Sequence, residues 1–102
     1  MSRREQLESL LTEDPHDPFL HYALAQEFAK EGVAAEAITR LETMNRNFPD
    51  YVPAYFRLGQ ILAEEDQSAA ARQILQTGIQ VARKVGDLHA AGEMSQLLEI
   101  LS

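Results

Sequence analysis

The chain has 102 residues, 45% of them hydrophobic, no cysteine, and a formal net charge of -7 from 16 acidic against 9 basic residues. That length supports one domain whose core needs no disulfide or thiolate-metal staple. No stretch approaches the roughly 18 consecutive apolar residues of a membrane span, and an acidic chain without a Lys/Arg cluster is a poor partner for nucleic acid.

Arg outnumbers Lys seven to two and Ala is abundant, a bias that genome composition or a salty cytoplasm produces. The lack of cysteine fits a cytoplasmic protein. Met1 to Gln6 leads into charge and not into an apolar run, so no signal peptide is expected.

Six helices follow in chain order. The first starts at Ser2, which has the capping-box spacing to Glu5. It carries Leu7, Leu10 and Leu11 on one stripe and stops before Pro15. The second opens at Asp17-Pro18, an N-cap acceptor followed by proline where a missing amide is harmless, and Gly32 ends it. A third, from about Ala34 to Arg46, places Ala37, Ile38, Leu41 and Met44 at helical spacing, and Asn47 to Asp50 breaks it. The fourth begins near Val52-Pro53 and runs to about Glu65, with Tyr55, Leu58, Gly59 and Leu62 turned inward. Asp66 closes it at a corner expected to need left-handed backbone, which Asp tolerates better than most residues. The fifth starts near Ser68 and carries Ala71, Ile74, Leu75, Gly78, Ile79 and Ala82. Gly86-Asp87 supplies a stop and the next N-cap, and a last helix from about Leu88 to Leu101 ends the chain. Connections of two to six residues suit antiparallel neighbours.

The chain repeats itself. Leu24, Ala25, Phe28, Ala37 and Leu41 coincide with Leu58, Gly59, Leu62, Ala71 and Leu75 after a shift of 34 residues, and such a period marks stacked repeats. Residues 52 to 85 (Tyr55, Leu58-Gly59, Leu62, Ala71, Leu75) and 18 to 51 (His21, Leu24-Ala25, Phe28, Ala37, Leu41, Pro49) each resemble one copy of the tetratricopeptide repeat. Leu7, Leu10 and Pro15 resemble the second half of another. The expected organisation is a leading half-repeat at 1–17, repeats at 18–51 and 52–85, and a capping helix at 86–102. The resemblance implies an all-α, right-handed solenoid of antiparallel helix pairs. In it Ala25 and Gly59 would admit the paired helix closely, and Ala37 and Ala71 would make the matching flat spots. Two positions depart from the pattern: His21 stands for a large aromatic and Arg83 for proline.

The same resemblance implies a concave face lined by the first helix of each repeat. Carried over position by position, it presents Phe19, Tyr22, Gln26, Ala29 and Lys30 from one repeat, and Pro53, Phe56, Gln60, Ala63 and Glu64 from the next. Rings and amides suit an extended peptide or a partner helix. The alternative is that Phe19, Tyr22 and Phe56 pack between helices, as large aromatics usually do. Relatives that clamp a C-terminal carboxylate use Lys and Asn where this chain has Tyr22 and Gln26, so no such clamp is expected.

Asp14, His16, Asp17 and His21 form the one grouping suggestive of a metal or acid-base site. Prolines interrupt it, however, and Asp17 is better explained as an N-cap. His89 and Glu93 read as a surface contact, and Glu64-Glu65-Asp66 as a solvated helix end. There is no phosphate loop, GxSxG elbow or HExxH. No catalytic role, cofactor or metal is expected. Leu97, Leu98, Ile100 and Leu101 cannot all face inward, which leaves two readings of the last helix: a homodimer surface or a frayed end. The expectation is therefore an adaptor that binds a protein or peptide, with self-association through the last helix as the alternative.

Overall fold

Ser2 opens the fold with a reciprocal cap. Its hydroxyl accepts from the Glu5 N–H at 3.1 Å, and its own N–H donates to the Glu5 carboxylate at 3.1 Å. The bond from the Ser2 N–H, aided by the Ser2 side chain, holds the Glu5 carboxyl below its usual range. Helix α1 (Arg3–Glu13) follows. Then come α2 (Pro18–Lys30), α3 (Ala34–Asn47), α4 (Val52–Glu64), α5 (Ser68–Val85) and α6 (Leu88–Leu101). A computed structural model describes residues 1–102, and it contains no strand.

Each helix packs on its chain neighbour, and α6 also reaches α4, giving a helical solenoid elongated to 41 × 29 × 19 Å. Three corners share one construction. Gly32, Asp66 and Gly86 have φ of 82°, 61° and 85°. The N–H of each following residue bonds back to Phe28, Leu62 and Ala82, at 2.9, 2.8 and 2.7 Å. This is the Schellman closure, in which a left-handed residue lets the chain satisfy the last carbonyls of a helix.

The core divides in two along the chain. Leu7, Leu24, Ala25, Phe28, Ala37, Leu41 and Leu58 belong to the first cluster. Tyr55, Leu75, Ile79, Ala91 and Met94 belong to the second. Every position at which the two repeats coincide, from Leu24 to Leu75, is buried. A methyl group on Gly59 would lie 2.6 Å from Leu75 Cδ2, and one on Gly78 would lie 2.7 Å from Tyr55 Cβ. Both glycines therefore mark a close helix-helix approach. The α1 stripe is less buried than its spacing predicts: Leu7 is enclosed but Leu10 is 47% exposed, because α2 is the only helix packed closely against α1. In α6, Leu97, Leu98 and Leu101 rest on the core, and Ile100 is exposed. Leu88, at the start of that helix, is exposed as well.

Candidate functional site

Helices α2, α4 and α6 share one face, and a recess of about 300 Å³ opens on it. Tyr22 enters it from α2. Val52, Pro53, Phe56, Arg57 and Gln60 line it from α4, and Asp87, His89, Ala90 and Glu93 from the start of α6. The apolar Val52, Pro53, Phe56 and Ala90 share the lining with polar and charged side chains.

A connected set of side chains crosses this face. The Tyr22 ring lies 5.7 Å from the Tyr51 ring, and the Gln26 amide donates to the Tyr22 hydroxyl at 3.4 Å. Arg57 is the hub: Nε donates to Gln26 Oε1 at 2.6 Å, and its terminal nitrogen reaches Gln60 Oε1 at 3.4 Å and Glu64 Oε1 at 3.7 Å. Arg57 thereby ties α2 to α4. Burial raises the Tyr22 phenol above its ordinary range, against the pull of the Arg57 charge.

Of the ten side chains expected on the concave face, Tyr22, Pro53, Phe56 and Gln60 line the recess directly. Gln26 and Glu64 join through Arg57. Phe19 is 60% exposed at the start of α2, and Lys30 is exposed at its end; neither lines the recess. The aromatic alternative holds in part, since Tyr22 and Phe56 are half-buried against the two core clusters while keeping an edge toward the recess.

Val52, Arg57, Asp87, His89, Ala90 and Glu93 were not among the expected lining residues. The α6 members were hidden by a change of register. Helix α5 spans 18 residues against 14 for α3. As a result α6 repeats α4 at 36 residues and not 34, setting buried Ala91 and Met94 where Tyr55 and Leu58 stand. Applying the shift of 36 residues to Pro53 and Arg57 leads to His89 and Glu93 on the recess side of α6.

A second recess, about 290 Å³, lies along α3 and includes His21, Glu36, Arg40 and Phe48. Its charged groups are engaged: Arg40 pairs with Glu36 at 3.0 Å and stacks 5.0 Å over Phe28. The His21 Nε2 is 2.7 Å from the Pro15 carbonyl. This is the bond that Tyr55 makes to Pro49, also at 2.7 Å, one repeat later. His21 thus does in the first repeat what a tyrosine does in the second. Asp14, His16 and Asp17 do not gather with it, and no group of three or more His, Asp and Glu side chains is placed to hold a metal ion. Asp17 accepts from the Phe19 N–H at 2.9 Å as the α2 cap. His89 sits 3.2 Å from Glu93 on the surface. No helix is long and apolar enough to cross a membrane.

The family model for the tetratricopeptide repeat matches residues 28–94. A comparison with curated proteins found no match. Among solved structures, a tetratricopeptide repeat domain protein from Salinibacter ruber, solved in solution by NMR, is 34% identical. The match covers 86% of this chain and 89% of that one, with a TM-score of 0.83. A protein from Bordetella parapertussis is 26% identical over 99% of this chain and 88% of its own, at a TM-score of 0.85. The TPR2B domain of yeast Sti1, in a complex with pHsp70, is 21% identical over 96% of this chain and 78% of its own, at 0.88, a likeness of fold alone.

Proposed function

The chain belongs to the tetratricopeptide repeat family, and we propose that it is an adaptor that holds an extended segment of a partner protein on the face made by α2, α4 and α6. The observation that carries this reading is the recess itself, where rings from two helices and a third helix meet around a bridging arginine. Tyr22 and Phe56 supply contact area at small entropic cost, and the amides of Gln26 and Gln60 can bond a peptide backbone. The Sti1 domain, similar in fold, is found with pHsp70, which supports peptide capture by this architecture. The net charge of -7 favours protein over nucleic acid.

The test is capture of partners from a peptide display by the native chain and by a Phe56→Ala, Gln60→Ala variant. These two side chains line the recess without the Tyr22–Tyr51 contact, so helicity is expected to survive. Ligands lost with circular dichroism unchanged would support the groove. Ligands kept by the variant would remove it.

A second reading, self-association through α6, is favoured by the exposure of Leu88 and Ile100, at 70% and 77%. Light scattering on Leu88→Lys and Ile100→Lys variants tests it: a dimer that becomes a monomer supports it, and an unchanged mass counts against it. Leu98 and Leu101 are unsuitable probes, since both rest on the core and the Leu101 carbonyl accepts from Arg72 at 3.2 Å.

A further inference from the structure

The recess is acidic as well as apolar. Its one permanent cation, Arg57, is already committed to Gln26, Gln60 and Glu64. Asp87 and Glu93 remain on the α6 side, in the same lining as the apolar Phe56, Pro53 and Ala90. One Asp87 carboxylate oxygen accepts from the Ala90 N–H at 3.1 Å. Glu93 has a single partner, the exposed His89, whose attraction depends on protonation. The whole chain adds a negative field around this face.

Resting on the adaptor reading, we propose that the segment held there carries an aromatic or aliphatic side chain next to a lysine or arginine. The apolar side chain lies against Phe56, Pro53 and Ala90. The cation stands between Asp87 and Glu93, where a carboxylate pair attracts an ammonium or guanidinium and repels the free carboxylate of a chain end. The recess therefore selects internal, basic-apolar segments over acidic or C-terminal ones. This is a difference of affinities produced by both attraction and repulsion.

The probe is a phage-displayed library of random dodecapeptides panned on the whole chain, followed by fluorescence anisotropy with the amidated consensus peptide. Asp87→Asn keeps an N-cap acceptor and Glu93→Gln keeps the shape, so the double variant is expected to melt like the native protein. The expected consensus pairs an apolar residue with Lys or Arg, and its Kd rises roughly tenfold on the double variant. A consensus without a basic residue, or a Kd unchanged by the double variant, overturns the charge assignment. The adaptor reading stands in that case if Phe56→Ala, Gln60→Ala still abolishes binding. No consensus at all, or one whose binding survives Phe56→Ala, Gln60→Ala, removes the groove and this assignment with it.

Discussion

Asn45 has a half-buried side chain whose Nδ2 and Oδ1 are shielded and find no hydrogen-bond partner. One repeat later, 34 residues on, the same place is taken by Ile79, which is buried in the second cluster. An unpartnered buried amide costs about 1 to 3 kcal/mol, so Asn45→Ile is expected to stabilise the fold by about 1 to 2 kcal/mol. Thermal melting should show a rise of several degrees; an unchanged or lower Tm would show that the amide is in fact satisfied. The glycines make a second test, in which one substitution has opposite signs. Gly59→Ala puts a methyl 2.6 Å from Leu75 Cδ2 and 2.7 Å from Leu75 Cγ, and overpacking of that kind costs about 1 to 3 kcal/mol. Gly92 in α6 meets nothing within 4 Å, so Gly92→Ala should gain up to about 1 kcal/mol of helix propensity. Chemical denaturation of the two variants would separate them, and a shared sign would contradict the packing described.

At the scale of the elements, the corners were the most legible part of the sequence, because their chemistry is local. Ser2 with Glu5, Asp17 with Pro18, and Gly86 with Asp87 each name a helix end without knowledge of the fold. The N-cap residues of α3, α4 and α5, Val33, Tyr51 and Gln67, make no side-chain cap, so those starts were read less locally, from apolar spacing and, for α4, from Pro53. The recess was legible where the repeat period holds, through Tyr22, Phe56 and Gln60. It was hidden where α5 lengthens and α6 shifts by two residues, which concealed His89 and Glu93. The corner at Asp66 yields a prediction on the same footing. Its φ of 61° is the left-handed value that Gly32 and Gly86 occupy at 82° and 85°, and a side chain there is strained by roughly 1 to 2 kcal/mol. Asp66→Gly should therefore stabilise slightly, by about 0.5 kcal/mol after the entropy of the freer unfolded chain is deducted. Gly32→Ala, the reverse exchange, should destabilise by roughly 1 kcal/mol or more. Equal effects of the two on urea midpoints would count against the left-handed corner.

On the scale of the whole molecule, all three tyrosines gather where the first repeat meets the second. Tyr22 and Tyr51 touch across α2 and the start of α4, and the Tyr55 hydroxyl donates to the Pro49 carbonyl at 2.7 Å. Burial raises the phenols of all three above their ordinary range. The Tyr22 phenol and Asp17 add to the rise at Tyr51, and Asp50 adds to it at Tyr55. A phenol with a raised folded pKa is neutral in both states below its unfolded value of about 10, so these groups leave stability unchanged there. Above that pH the unfolded chain releases its protons first, and stability falls as pH climbs through the folded values. The junction between repeats is then the point at which alkali opens the solenoid, since the charged phenolates would lie against the first and second clusters together. Phenolate absorbance in the near ultraviolet should appear later than in free tyrosine and should rise together with the loss of helical circular dichroism. Phenolates that form at the ordinary pH with the helices intact would place these rings in water and dissolve the link between the two halves of the core.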